Sequence, residues 1–156
     1  MPGSGPHRFA GWVGMFCLLV AATVVPALAT ESSGTEATLS AAQWKSIQRV
    51  ISQQRAALVA GDGAKAFGYA SPGTQAQFGD SATFMTMVRT GYVPLLTARY
   101  VEFLEGAVID GVIIQPLRLI DADNTVRVAL YTMERQKSGI WRISGCRIAP
   151  STVQAI

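Results

Sequence analysis

Few side chains in this sequence have the chemistry of a catalytic group. The single histidine, His7, lies in an N-terminal segment that is predicted below to be cleaved off. The mature chain would then have no Ser-His-Asp or Cys-His pair and no histidine ligand for a metal. Cys17 would leave with the same segment, so Cys146 has no partner for an internal disulfide. Since no histidine can activate its thiol, we expect Cys146 to be a small buried hydrophobe.

One acidic segment resembles the start of a metal site. Asp121, Asp123 and Asn124 have the spacing of the first ligands of a calcium-binding loop. The glycine at the sixth position and the glutamate at the twelfth position of such a loop are missing. Asp and Asn also form turns by bonding to their own backbone. We therefore expect a turn, and the sequence predicts neither a metal site nor a cofactor.

Three side chains are candidate ligand-binding residues. Tyr92 follows a helix-ending glycine, Tyr131 lies in the middle of a predicted strand, and Arg118 has a planar guanidinium that can hold an anionic group. All three would line a cavity between helices and strands, where apolar walls and a few polar groups form a typical small-molecule site. The alternative is that the tyrosines fill the rim of the core and the arginine faces water.

The same tyrosines allow a catalytic interpretation. A tyrosine and a carboxylate, here Glu102 or Glu134, can form an acid–base pair when a cavity raises the pKa of the carboxylate. The structural alternative is that both glutamates face water. Alternation along the strand puts Tyr131 on one face and Leu130 on the other. Both faces are partly apolar, so the pattern leaves open which of them faces the helices.

The N-terminus has the pattern of an export signal. An apolar run over residues 9–28 follows Arg8, and Ala27-Leu28-Ala29 is the small-x-small pattern that a signal peptidase reads. The predicted organisation is a signal peptide at 1–29, a flexible polar leader at 30–38 and a single domain at 39–150. An uncleaved segment would instead be a membrane anchor.

Helix signals fill the first half of the predicted domain. Ser40 and Gln43 have capping-box spacing, and Gly61 has the place of a left-handed cap at the helix end. The apolar positions between them share one helical face: Trp44, Ile47, Ile51 and Leu58. Three shorter helical pieces follow, with caps predicted at Asp62, Ser71 and Asp80. Residues 92–94 are predicted to form a turn.

Strand signals fill the second half. The predicted strands cover 99–104, 112–120, 125–136 and 140–148. Pro116 cannot donate a ladder hydrogen bond, so it marks a sheet edge or a bulge. Helices followed by strands predict an α+β fold, with N-terminal helices packed on a four-stranded antiparallel meander sheet.

Short motifs in both halves resemble the bacterial DUF4864 family. They are Ala70-Ser71-Pro72, Phe78-Gly79, Phe84, Met87-Val88, Tyr92 and Pro94 in the helical half, and Gln115, Leu117, Asp121, Tyr131, Glu134-Arg135-Gln136, Trp141-Arg142-Ile143 and Gly145-Cys146 in the sheet half. The resemblance covers residues 47–148. It implies a cone-shaped fold similar to nuclear transport factor 2 and the cystatins. It implies no activity, because folds of this type host isomerases, dehydratases, ligand binders and assembly subunits.

The net charge and the distribution of basic residues limit the classes of binding partner. Loss of Arg8 lowers the net charge from +3 to about +2, and the basic residues are scattered singly, so no nucleic-acid surface is expected. The sequence favours an exported, non-catalytic module that binds a small molecule or a protein in the periplasm of a Gram-negative bacterium. The alternatives are a cofactor-free lyase or isomerase with a carboxylate–tyrosine pair and, without cleavage, a membrane-tethered assembly subunit. After cleavage we expect no stable membrane insertion, and the oligomeric state stays open.

Overall fold

The computed structural model describes residues 38–150, and the α+β fold class is confirmed. Five helices precede five strands and pack on one face of an open antiparallel sheet. The elements are α1 Ala41–Val59, α2 Gly63–Gly68, α3 Pro72–Phe78, α4 Ser81–Gly91, α5 Val93–Thr97, β1 Tyr100–Phe103, β2 Ala107–Ile109, β3 Val112–Ile120, β4 Val126–Arg135 and β5 Trp141–Pro150. The predicted signal peptide and all but the last residue of the predicted leader lie outside the described residues. Within those residues, no helix has the length and apolar character needed to cross a bilayer.

Both ends of α1 are closed by the predicted residues. The Ser40 hydroxyl accepts from the Gln43 backbone N–H, and the Gln43 side chain accepts from the Ser40 N–H, which completes the capping box. At the other end Gly61 adopts φ +72°. Its N–H donates to the Leu58 carbonyl and the Asp62 N–H donates to the Ala57 carbonyl. This pair of bonds is a Schellman motif, so the carbonyls that a helix end leaves unpaired are satisfied.

The buried stripe of α1 faces the sheet and contains one polar residue. Ile47 and Ile51 are fully buried, and Leu58 and Gln54 are only 3% and 4% exposed. The burial of Ile51 follows from its place on the predicted apolar face. Trp44, one turn before Ile47 on the same face, is only half-buried, although burial on the sheet is expected for it as well. Its ring instead covers the loop after β1.

The short helices follow their predicted caps with one exception. Asp62, Ser71 and Asp80 each accept a backbone N–H from the residue three positions on, which confirms all three caps. Residues 92–94 do not form a simple turn, as the sequence analysis expected. Val93 begins α5, and Pro94 at its second position has a fixed φ that suits a first helical turn and needs no N–H partner there.

The sheet has the order β1-β3-β4-β5. One further short strand, β2, was not predicted from the sequence; it pairs with the first residues of β3 and forms a hairpin with it. Asp110 and Gly111 both have positive φ, +50° and +77°. Two positive φ values make a type I′ turn, for which Asp-Gly is a strong sequence signal.

The register of the ladder decides which sheet face carries the core. Tyr131 and Ala129 on β4 are fully buried against the helices, whereas Leu130 between them lies on the open face and is half-buried. On β3 the same inner face carries Gln115 and Leu117. The inner face of the sheet and the buried stripe of α1 therefore form one continuous core.

The pairing along β3 is interrupted at Pro116, between the segments that pair with β1 and with β2, and the buried side chain of Gln115 supplies the missing donor. The Leu104 N–H donates to the Pro116 carbonyl at 3.1 Å, but Pro116 has no N–H with which to complete the pair. The Nε2 of Gln115 donates to the Leu104 carbonyl at 2.7 Å instead, and also to the Pro116 carbonyl at 3.0 Å. Its Oε1 accepts from Gln48 of α1 at 3.3 Å. The predicted sheet edge or bulge at Pro116 is not what the structure shows: Pro116 lies inside β3, paired with β4 on one side and facing the gap between β1 and β2 on the other.

A double-mutant cycle tests this replacement of a backbone donor by a side chain. The Gln115→Leu variant leaves the Leu104 carbonyl without its donor, so it should lower the free energy of unfolding by about 1–3 kcal/mol in urea denaturation. Adding Pro116→Val restores a backbone N–H at the same place and should recover part of the loss. The control, Gln48→Leu, removes only the bond to α1 and should cost about 0.5–1 kcal/mol. Equal destabilisation by Pro116→Val in the wild type and in Gln115→Leu would contradict the interpretation.

Candidate functional site

A cavity of about 230 Å³ opens between the helical layer and β5. Helices α1, α3 and α4 and the residues around α5 contribute to its walls, and β5 forms its floor. Its apolar lining consists of Leu58, Ala70, Phe78, Phe84, Met87, Val88, Leu95 and Ile143. The cavity is half-open to solvent. Its position against the buried core gives it the concave shape and apolar walls that small-molecule sites share.

Aromatic rings stiffen one wall. The ring of Phe84 lies 5.4 Å from that of Phe67 and 5.7 Å from that of Phe78, and it meets Phe78 edge-on at 75°. Such edge contacts are favourable because the positive ring edge meets the negative ring face. Phe84 is 6% exposed, so the wall is anchored in the core. The three rings therefore hold one another in place, and this wall of the cavity has a defined shape.

Gln54 is the buried polar group of the cavity. Its carboxamide lines the cavity, and its Nε2 donates to the Ala66 carbonyl at 3.3 Å. Because a carbonyl can only accept, this bond fixes which end of the amide carries the NH₂ group. Within residues 38–150, Oε1 accepts no hydrogen bond. Oε1 keeps some contact with solvent, so the cavity contains one accessible acceptor that the described part of the protein does not use.

Cys146 lies on the floor of the cavity as a protonated thiol. Burial raises its pKa from 9.0 to about 12, and the nearby Tyr131 hydroxyl lowers the pKa by a smaller amount. The thiolate is the nucleophilic form of cysteine, and at neutral pH it is almost absent here. The raised pKa agrees with an unreactive thiol, but Cys146 is half-buried at the cavity rather than buried as the sequence analysis expected.

Tyr92, a predicted site residue, does line the cavity. Its hydroxyl donates to the Cys146 carbonyl at 2.8 Å and so ties the end of α4 to β5. Burial, and then the proximity of Cys146, raise the pKa of this hydroxyl. It stays protonated at neutral pH, with its proton directed at the protein and its oxygen lone pairs still able to accept.

Tyr131 lies behind the cavity and is not among the residues that line it. It is fully buried, and within residues 38–150 its hydroxyl has no hydrogen-bond partner. Burial raises the pKa of the hydroxyl well above its ordinary value, and the guanidinium of Arg55 counteracts this in part. Arg55 donates from Nη2 to the Ala98 carbonyl, while its buried Nε is also unpaired. The cross-strand partner of Tyr131 is Cys146, so Tyr131 supports the cavity floor.

Arg118, the third predicted residue, lies on the opposite face of the sheet. Its Nη1 is 2.8 Å from Oε2 of Glu102, and both side chains are about two-fifths exposed. Glu134 is exposed and accepts from Gln136. The structure therefore brings neither Arg118 nor a carboxylate together with the two tyrosines.

The acidic segment after β3 forms the expected turn. The Asn124 N–H donates to the Asp121 carbonyl, and Asp123 accepts from the Thr125 N–H, which lowers the pKa of the Asp123 carboxyl. Asp121 forms an ion pair with Arg127 at 2.6 Å. Among residues 38–150, no three His, Cys, Asp or Glu side chains are grouped so as to hold a metal ion.

The sequence analysis missed Gln54, although a signal was present. Gln54 follows Ile51 by three positions and precedes Leu58 by four, so it falls on the apolar stripe of α1. A polar residue at such a position must be buried with its amide, which costs free energy unless it is bonded. The interruption of the stripe was therefore the sign of a buried polar role.

Comparison with known proteins gives one match. The model of a family described as "Domain of unknown function (DUF4864)" matches residues 40–156. No curated protein and no solved structure matches the chain.

The state of the Cys146 thiol has a measurable consequence at alkaline pH. In the unfolded chain the thiol ionises first, because its folded-state pKa is raised to about 12. Stability that is fully present below the unfolded pKa is therefore lost as pH rises from about 9 towards 12, by up to about 1.4 kcal/mol per pH unit. The Cys146→Ala variant should flatten this decline, most clearly between pH 9 and 10 before tyrosines ionise. If the stability of the wild type and of Cys146→Ala fell equally with pH, the thiol would not be protected in the folded protein. Fast thiol labelling of the native protein at pH 7 would show the same.

Proposed function

The chain belongs to the DUF4864 family, and since that family's description assigns no function, we propose from the geometry of the cavity that this domain is a non-catalytic binding module for a small ligand. The main support for this proposal is the cavity of about 230 Å³ against β5, which has an aromatic wall and a buried amide. An apolar cavity of about 150 Å³ is enough to hold a benzene ring. The volume therefore suits a molecule with one ring or a short chain.

The lining supports binding rather than catalysis. No Asp, Glu, Lys, Arg or His is among the residues that line this cavity. The two titratable groups that do line it, Tyr92 and Cys146, have raised pKa values and are protonated at neutral pH. General acid–base catalysis needs a group whose pKa lies near the working pH. A carboxylate–tyrosine mechanism would have to act elsewhere in the protein.

The cellular setting belongs to the same proposal. The export signal expected at residues 1–29 would deliver the domain to the periplasm, where its ligand would be a small periplasmic molecule. If the segment were retained, the same domain would be tethered to a membrane. A protein-binding role is the alternative when no small molecule occupies the cavity.

A matched pair of cavity and surface variants tests the proposal. Val88 lines the cavity and is 3% exposed, so Val88→Phe should fill the space. Val59 is 54% exposed on α1 and lies outside the cavity, so Val59→Phe is the control. A library of small neutral, anionic and cationic molecules is screened by thermal shift and by ligand-observed NMR. A ligand at a hundredfold excess over its Kd should stabilise the wild type by about 2.7 kcal/mol.

The proposal requires at least one compound that binds to the wild type and to Val59→Phe but not to Val88→Phe. Denaturation curves establish that Val88→Phe is folded before its binding is scored. If no member of the library binds, or if binding is indifferent to Val88→Phe, the small-ligand proposal fails and a protein partner becomes the preferred interpretation.

A further inference from the structure

We infer that the ligand of this cavity is an uncharged molecule with an apolar body and an O–H or N–H donor, which Gln54 Oε1 accepts; the inference rests on the proposed function and specifies its ligand class. The starting point is the hydrogen-bond balance of Gln54. It is 4% exposed, its Nε2 is bonded to the Ala66 carbonyl, and its Oε1 has no donor among residues 38–150. Because Oε1 keeps some contact with solvent, a ligand donor would replace water there, and the net gain is that of one neutral hydrogen bond.

The other polar groups around the cavity have already used their protons. The Tyr92 hydroxyl donates to the Cys146 carbonyl, and the Thr74 hydroxyl donates to the Ser144 carbonyl at 3.1 Å. The Ser144 hydroxyl donates to Thr132 Oγ1 at 3.2 Å. A hydroxyl has one proton and two lone pairs, so each of these groups can now only accept.

Apart from the second N–H of Gln54 Nε2, the remaining donors are weak or peripheral. The Cys146 thiol is a weak donor, and the Gln77 carboxamide is exposed at the mouth of the cavity. The polar wall therefore offers a ligand more acceptors than donors. A molecule that carries a proton donor matches this wall better than a molecule that only accepts.

The ligand must also be uncharged. No acidic or basic side chain lines the cavity, so a carboxylate or an ammonium would be partly desolvated without a counter-ion. Burial of an unpaired charge costs much more free energy than burial of a bonded hydroxyl. The eight apolar side chains in the lining, among them Phe78 and Phe84, favour an aromatic or branched hydrocarbon body.

The mouth of the cavity is shaped by a bulge that positions these acceptors. The ladder between β4 and β5 shifts register after Thr132, at Ser144 and Gly145. A Cβ on Gly145 would lie 2.8 Å from Thr132 Oγ1, so a side chain here would displace the hydroxyl that receives the Ser144 proton. The bulge therefore places the Ser144 carbonyl at the mouth, where Thr74 bonds to it.

Four probes of one size separate charge from donor chemistry. The probes are 1-phenylethanol (donor), acetophenone (acceptor only), protonated 1-phenylethylamine (cation) and benzoate (anion), which have the same number of non-hydrogen atoms. Ligand-observed NMR titration measures each Kd. We expect 1-phenylethanol to bind at least about tenfold more tightly than either ion. Its advantage over acetophenone should be about 2- to 12-fold, the value of one neutral hydrogen bond.

Variants then assign that advantage to one oxygen. Gln54→Leu removes the acceptor, so the alcohol and the ketone should bind with equal Kd values. Gln53→Leu is the matched control, because Gln53 is the exposed neighbour on α1 and its loss should leave the ratio unchanged. Gln54→Met, with an unbranched side chain, serves as the second variant if Gln54→Leu does not fold, and the wild-type comparison of alcohol and ketone needs no variant.

The outcomes distinguish this inference from the proposed function. Tighter binding of benzoate, of the amine or of acetophenone, or an alcohol preference that survives in both Gln54 variants, would overturn the ligand class while the cavity still binds. If none of the four probes binds but other library members bind in a manner sensitive to Val88→Phe, the ligand class is likewise wrong. If nothing in the library binds, the proposed function and the ligand class fall together.

Discussion

The packing of α1 across the inner face of the sheet is the interaction on which the rest of the structure depends. Ile47 and Ile51 are fully buried there, in the same core as Tyr131 and Leu117. The capping box and the Schellman motif fix where this helix begins and ends. Its last two turns therefore carry Gln54 and Leu58 past the covered part of the sheet to the cavity, where the short helices complete the wall.

Two buried glutamines show how differently the same side chain is used. Gln115 has both ends of its amide bonded: Nε2 to two carbonyls and Oε1 to Gln48. It replaces the donor that Pro116 lacks, and its role is structural. Gln54 is nearly as buried, yet only its Nε2 is bonded. A fully paired amide accounts for its own burial, whereas the half-paired amide of Gln54 leaves an acceptor accessible at the cavity.

Local signals predicted the helical half well because caps are set by neighbours in sequence. Ser40 with Gln43, and Gly61, specify their helix ends without reference to the rest of the chain. The hairpin at Asp110-Gly111 had an equally local signal, and β2 could have been predicted from it. The inner face of β4 could not, because Leu130 on the open face is as apolar as its neighbours and only pairing with β3 decides the register. The same uncertainty allowed Arg118 to be expected in the cavity, although it lies on the opposite face with Glu102.

In the site that we propose, an aromatic wall, a protonated thiol floor and one unpaired acceptor would recognise the shape of a ligand and a single donor rather than charge. A crystal structure of the protein soaked with 1-phenylethanol tests this claim most directly. The account predicts the ring against Phe84 and the hydroxyl within about 2.6–3.0 Å of Gln54 Oε1, the usual range for an O–H donor. A cavity closed by its own side chains, or a ligand bound only on the outer surface, would contradict it.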